Sequence, residues 1–261
     1  MMHVIVTGGS SGIGLEVSRL YASRGARVTL IARDRPKLEV ARDDLLVTAK
    51  SAPDDIQIAS ADVGDEAAIR DAVQQAESRL GPCDVLIACA GIVEPAVFED
   101  LSSERFNEQI RINLLGTVNA VRSVYTGMKH RGQGRIMIVS SGAGLIGIHG
   151  YSAYCASKAA LTGFAEALAQ EGQAHGITVG ICFPPDTQTP QLERELPKRP
   201  IEAQRLMGKA GAWSAEAVAR KIVRAIDRRS GKLYFGFSLA ALGLFGGVIK
   251  PVLFWWYRRR A

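Results

Sequence analysis

Short runs of β-branched and other apolar residues recur along the chain, at 4–6, 28–31, 56–59, 85–87, 135–139 and 178–183. Between them lie longer stretches in which apolar positions return every three or four residues. The first pattern is that of buried strands, the second that of amphipathic helices. Their alternation predicts βαβ units and a parallel sheet. With right-handed crossovers this gives an α/β fold, a doubly wound Rossmann-type domain over residues 1–230. Residues 184–213 break the pattern with five prolines, many charges and weak periodicity. So long a loop in a compact domain predicts a lid over a site. A last amphipathic helix is expected over 214–229.

From residue 231 to 261 the pattern changes again. Residues 233–249 carry no charge; as a helix they would extend about 25 Å, short of the roughly 30 Å hydrocarbon core of a bilayer. Lys250-Pro251 is expected to interrupt them, since proline breaks or kinks a helix. Eight of the 17 aromatic residues lie between Tyr234 and Tyr257, beside Arg258, Arg259 and Arg260. Aromatics next to cations fit an interfacial membrane anchor. The segment reads as an anchor lying in or re-entering a membrane surface, as a span, or as an arm buried against a second copy of the chain.

Composition locates the charge. The 261 residues are 47% hydrophobic and 22% charged, which excludes wholesale disorder and fibrous repeats. A net charge of +6 would ordinarily raise nucleic acid or an anionic surface as a partner. Five of those six charges come from Lys232, Lys250 and the three terminal arginines, in a tail without a single acid. The remaining 230 residues are nearly neutral, so no basic stripe for nucleic acid is expected, and lipid headgroups become the anionic partner. Four cysteines without metal-type spacing predict reduced thiols and no metal site. The N-terminus shows no secretory pattern, so the catalytic part is expected to face the cytoplasm.

The run Thr7-Gly8-Gly9-Ser10-Ser11-Gly12-Ile13-Gly14 follows the first strand and opens the first helix. Gly8, Ser10, Ser11, Gly12 and Gly14 are therefore candidates to cradle a pyrophosphate, where glycine lets the backbone approach and a helix N-terminus offers free N–H groups. The second strand ends at Ala32, with no acid to take a ribose 2′-hydroxyl. Arg33 and Lys37 instead favour a 2′-phosphate, hence NADPH; the alternative is solvated surface charge, and Asp34 would cap the next helix or compete with the phosphate. Asp62 either accepts from an adenine amino group or caps a loop. At Ala90 and Gly91 small residues would let a cofactor lie against the backbone.

Tyr154 and Lys158 are four residues apart in a helical stretch and so share a face. A cation beside the phenol is expected to lower its pKa from about 10. Ser140 or Ser141, just upstream, could donate to a carbonyl oxygen becoming an alkoxide. Asn113 is a polar residue in an apolar helical run, either a satisfied core amide or a relay residue.

Together Thr7–Gly14, Cys89-Ala90-Gly91, Asn113, Ser141 and the Tyr154/Lys158 pair resemble the short-chain dehydrogenase/reductase family over about residues 3–230. The resemblance selects Ser141 over Ser140. It implies Tyr154 as general acid in ketone reduction and Lys158 as the cation that lowers the tyrosine pKa and binds the nicotinamide ribose. It further implies that Ser141 orients the carbonyl, that Asn113 holds a relay water, and that the protein is a homo-oligomer. Cys89 stands where the family commonly has Asn.

The run Pro184-Pro185-Asp186-Thr187-Gln188-Thr189-Pro190, with Ala32-Arg33-Asp34 and Cys89-Ala90-Gly91, is similar to a branch of that family that reduces 3-ketodihydrosphingosine with NADPH. There Thr187 or Thr189 would contact the nicotinamide carboxamide. The implied substrate is a long-chain lipid ketone met at a membrane surface through residues 233–260. Other expectations stay open: reduction of another apolar carbonyl (3-oxoacyl, steroid or retinoid), or a catalytically silent NADPH-binding membrane scaffold.

Overall fold

The computed structural model describes residues 1–49, 51–207 and 211–258; three residues of the expected lid (208–210) and two of the terminal arginines (259 and 260) lie outside the described residues. The chain runs β1 (His3–Thr7), α1 (Gly12–Ala22), β2 (Arg27–Ala32), α2 (Arg35–Thr48), β3 (Ile56–Ser60), α3 (Glu66–Leu80), β4 (Val85–Ala88), α4 (Ser103–Ile110), α5 (Gly116–Arg131), β5 (Gly134–Val139), α6 (Ser152–Gln173) and β6 (Ile177–Phe183). It continues through β7 (Thr187–Gln188), α7 (Pro190–Glu195), α8 (Ile201–Met207), β8 (Trp213–Ser214), α9 (Ala215–Asp227), β9 (Lys232–Tyr234) and α10 (Gly236–Arg258). A single π-helical turn, Arg111–Leu115, joins α4 to α5.

The main sheet has seven parallel strands in the order β3-β2-β1-β4-β5-β6-β9, the expected doubly wound Rossmann-type arrangement. Its central strands are mainly apolar because both faces are covered; all five residues of β1 are buried. One face packs against α3, α5 and α6 through residues such as Ile69, Val124 and Leu161. The other packs against α1, α2 and α9 through Val17, Leu38 and Ile222. The strand order reverses between β1 and β4, and there the carboxyl ends of the strands leave a crevice. Into it open the turn after β1 and the Cys89-Ala90-Gly91 segment after β4.

Three expectations are corrected. The lid is not an irregular loop: α7, α8 and the two-stranded β7–β8 sheet order most of it, with Thr187 paired to Trp213 and Gln188 to Ser214. The boundary drawn after residue 230 shifts, because Ile181–Phe183 pair with Lys232–Tyr234 and bring the start of the tail into the main sheet. An apolar Leu233 and Tyr234 satisfy a sheet edge as readily as a membrane. Finally, α10 passes through Pro251 and departs from helical geometry at Phe245 (φ −122°, ψ 20°). Phe245 precedes the Gly246-Gly247 pair, where the absence of side chains makes reorientation easy.

Candidate active site

The glycine turn is shaped by close approach. Gly8 has φ +70°, and a Cβ there would lie 2.9 Å from the backbone of Ala90. A Cβ on Gly14 would meet the Gly8 carbonyl oxygen at 2.3 Å. Ser11 caps α1 without using its side chain, so the first N–H groups of the helix have no side-chain cap. Thr7 Oγ1 accepts from the N–H groups of Cys89 and Ala90, both at 3.2 Å, and locks the β1 and β4 ends together.

These segments open into a cavity of about 880 Å³ lined by Gly8, Ser10, Ser11 and Gly12 at one end and by Ser141, Tyr154 and Lys158 farther in. Arg33, Lys37, Asp62, Ala90, Gly91, Thr187 and Thr189 also line it, whereas Gly14 and Asn113 stand behind its wall. The cradle that side chains would fill, with its helix N-terminus and flanking cations, fits a nicotinamide dinucleotide.

Several candidates carry local bonds. Asp34 accepts from the Lys37 N–H at 3.1 Å as the cap of α2 and pairs with the Lys37 ammonium at 2.9 Å. Those bonds hold its carboxyl below the usual range. Arg33 lies 3.8 Å from Glu108. Asp62 accepts from Gly64 N–H and from Arg111, each at 2.9 Å. Burial works against its ionisation, but those bonds win and keep its pKa low. Thr187 donates to the Pro185 carbonyl at 2.8 Å, and Thr189 accepts from Leu192 N–H at 3.2 Å as the cap of α7.

Asn113 sits in the π-helical turn, fully buried. It accepts from Ile92 N–H at 2.7 Å and donates to the Ile92 carbonyl at 2.9 Å and to Ser157 Oγ at 3.0 Å. Its amide thus ties the segment after β4 to α6, the geometry of a satisfied positioning residue. Ser141 follows β5 and accepts from Ala143 N–H at 3.2 Å. Lys158 is 4% exposed; its ammonium donates to the Val139 carbonyl at 3.0 Å and lies 5.8 Å from the centre of the Tyr154 ring.

The electrostatics differ from the simple expectation of a cation lowering a phenol pKa. Burial raises Tyr154 above its ordinary value; its contact with Ser141 opposes this, and the carboxylates of Glu195 and Asp186 reinforce it. Burial also pushes Lys158 down to about 8. Both groups lose hydration in the same pocket, and that loss is the largest cause of both shifts. The phenol is therefore a proton-bearing group at neutral pH, the state a proton donor needs.

The periodic pattern gave no sign of a buried charge network beside this pocket. Arg199 donates to both Asp186 oxygens, at 2.5 and 3.1 Å, and to Glu195 at 2.6 Å. Tyr151 donates to the same Glu195 oxygen at 2.6 Å. The network joins the Asp186 segment, the lid and the start of α6. Its only sequence signal is the i, i+4 spacing of Glu195 and Arg199. The tail also contributes, because Phe237, Leu239, Leu242 and Leu253 of α10 line the same cavity.

A family model described as short chain dehydrogenase matches residues 2–200. The chain is 40% identical over 223 residues to a 3-dehydrosphinganine reductase of Danio rerio, a match spanning 85% of this chain and 67% of that protein. It is 37% identical over 280 residues to a 3-dehydrosphinganine reductase of Arabidopsis thaliana, spanning 97% and 82%. Among solved structures, levodione reductase matches with a TM-score of 0.82 at 26% identity, over 89% of this chain and 95% of that one. An actinorhodin polyketide ketoreductase with NADPH matches with a TM-score of 0.80 at 27% identity, over 89% and 94%.

Proposed function

We propose, on the premise that the chain belongs to the short-chain dehydrogenase family, that it reduces 3-ketodihydrosphingosine to dihydrosphingosine with NADPH at a membrane surface. The observation that carries this reading is the convergence of Tyr154, Ser141 and Lys158 in one cavity, continuous with a dinucleotide cradle and walled on its far side by an apolar tail helix. The relatives of Danio rerio, Bos taurus and Arabidopsis thaliana named for this ketone agree with it.

The bound dinucleotide would supply the hydride. The Tyr154 hydroxyl, kept protonated by burial, hands its proton to the carbonyl oxygen as negative charge develops there. Ser141 donates a hydrogen bond to the same oxygen, and a preorganised donor in a dry pocket is worth far more than one in water. Lys158, fixed on the Val139 carbonyl, places positive charge beside the phenol as the proton leaves. Asn113 keeps the segment after β4 and α6 in register. Arg33 and Lys37 receive the 2′-phosphate in competition with Asp34, which pairs with the Lys37 ammonium at 2.9 Å.

The candidate membrane segment is Gly236–Trp256, with mean hydropathy 1.8 and very little of it buried. An apolar helix so exposed is stabilised by lipid, and in this reading it holds the reductase domain on the cytoplasmic face of a bilayer. The test is NADPH consumption with 3-ketodihydrosphingosine in mixed micelles, with the product identified by mass spectrometry and a 3-oxoacyl thioester as competitor. We expect dihydrosphingosine from the wild type. Tyr154→Phe should lose about 10²- to 10⁴-fold in kcat, the usual contribution of a general acid. No product, preference for the thioester, or undiminished turnover by Tyr154→Phe would overturn the reading.

A further inference from the structure

We propose that α10 is more than an attachment to a membrane: its inward face is the wall of the active site that binds the saturated alkyl chain of the substrate. This rests on the reductase reading above and extends it to the residues that select chain length.

Leu239, Leu242, Ile249 and Leu253 of α10 line the cavity that holds Tyr154 and Ser141. Leu239 and Leu242, and Ile249 and Leu253, are three and four residues apart and so share a face within each half of the helix; on either side of the break at Phe245 both faces turn to the same cavity. The contact reaches the catalytic segment itself. A Cβ on Gly142, the neighbour of Ser141, would lie 3.0 Å from Leu239 Cδ2, so the bare glycine is what lets the helix approach. Farther along, Leu242, Leu253 and Phe254 pack against a cluster of Ala143, Ile146, Ile148, Tyr151 and Ala203. The helix thus closes one side of the pocket with aliphatic side chains.

The opposite face is also apolar but has no partner among the described residues. Leu244, Phe245, Val248 and Val252 are between 63% and 74% exposed. A helix apolar all round, half on a cavity and half bare, fits a position between a binding site and lipid.

Polarity along the cavity orients the occupant. The cradle end carries Arg33, Lys37 and Asp62, whereas the α10 end presents leucines and isoleucines. With the cradle taken by the dinucleotide, the polar groups left to the substrate are Ser141 and Tyr154, so a molecule with its reacting carbonyl there and a long saturated chain running along α10 fits the remaining space. A straight helix from Leu239 to Leu253 would extend about 21 Å; the break at Phe245 shortens this toward the depth of one leaflet, about half of a 30 Å hydrocarbon core. A wall of that length can cover a whole lipid chain.

The experiment measures kcat/KM on 3-ketones differing only in alkyl length, from hexyl to octadecyl, in non-ionic mixed micelles with the full chain. For the wild type kcat/KM should rise by up to about fourfold for each methylene the wall covers. Leu242→Trp and Leu253→Trp, which fill the wall, should cut the ratio of longest- to shortest-chain kcat/KM at least tenfold. Leu242→Ala should shift the preferred length upward. Leu244→Trp and Val252→Trp, on the bare face, should leave the ratio within twofold. The ratio is internal to each variant, so partial misfolding cancels from it. Wall variants that lower all chain lengths equally, or bare-face variants that shift the ratio, would overturn the proposal. Titration calorimetry with the same ketones separates the two readings. If the wild type reduces none of them, the reductase reading fails. The wall then stands only if binding still tightens with chain length and Leu242→Trp abolishes that trend.

Discussion

Replacing Arg199 with Met would test the charge network that closes the site. Its side chain is 5% exposed, and its partners Glu195 and Asp186 are 10% and 28% exposed. Methionine keeps most of the packing volume and removes all three bonds to the two carboxylates. Among the described residues Glu195 would then retain only the Tyr151 hydroxyl. Breaking a buried ion pair by removing one partner costs about 3–5 kcal/mol, because the other charge stays desolvated. The partial exposure of Asp186 lets water reach one of the stranded groups, so the lower figure, about 3 kcal/mol, is the better expectation. For a domain of this size that corresponds to a fall in Tm of roughly 6–12 °C. Thermal unfolding of the full chain in detergent, followed by circular dichroism, reads it. The double variant Arg199→Met/Glu195→Gln should recover part of the loss, since a neutral amide is far cheaper to bury than a lone carboxylate. A melting point within about 2 °C of wild type, or no recovery in the double variant, would refute the reasoning.

Two further outcomes follow from the site. Lys158 is held at about 8 rather than 10.5, while Tyr154 is raised and does not titrate first. The cationic form of Lys158 therefore disappears as pH rises through about 8, and kcat/KM for the dinucleotide, which reports the free enzyme, should fall above that pH; a profile flat to 10.5 would contradict it. Substituting Arg33 and Lys37 together by Ala should reduce the NADPH over NADH preference by about 10- to 100-fold, a charge-assisted contact being lost at each. Measured dissociation constants for both dinucleotides check this, and an unchanged ratio would assign those cations to the solvated surface.

Much of this was legible along the chain. The strand runs are continuous because parallel strands are covered on both faces, so their periodicity showed the doubly wound sheet directly. The spacing of Gly8, Gly12 and Gly14 between a strand and a helix marked the cradle, since only a missing Cβ allows approaches such as that of Gly14 to Gly8. Tyr154 and Lys158 were visible as one helical turn. The network of Asp186, Glu195, Arg199 and Tyr151 was not, because three members lie in the weakly periodic 184–213 segment and the fourth at a helix start 44 residues before Glu195, where no period marks which charges are buried together.

The tail illustrates the division most clearly. Its apolar run, aromatics and cations are properties of composition, and they pointed to lipid without any fold. That Lys232–Tyr234 complete the main sheet, and that Leu239 reaches the residue beside Ser141, depended on what lies across the β6 edge and over the cavity. The direction of the Tyr154 and Lys158 pKa shifts belongs to the same class. A spacing of four residues states that a phenol and an ammonium are neighbours, but desolvation is a collective property of everything packed around them. The sequence by itself determined the elements, their order and the chemical groups available. Only the tertiary structure decided which groups lose water together and which apolar face becomes a wall, because burial is set by contacts between residues far apart in the chain.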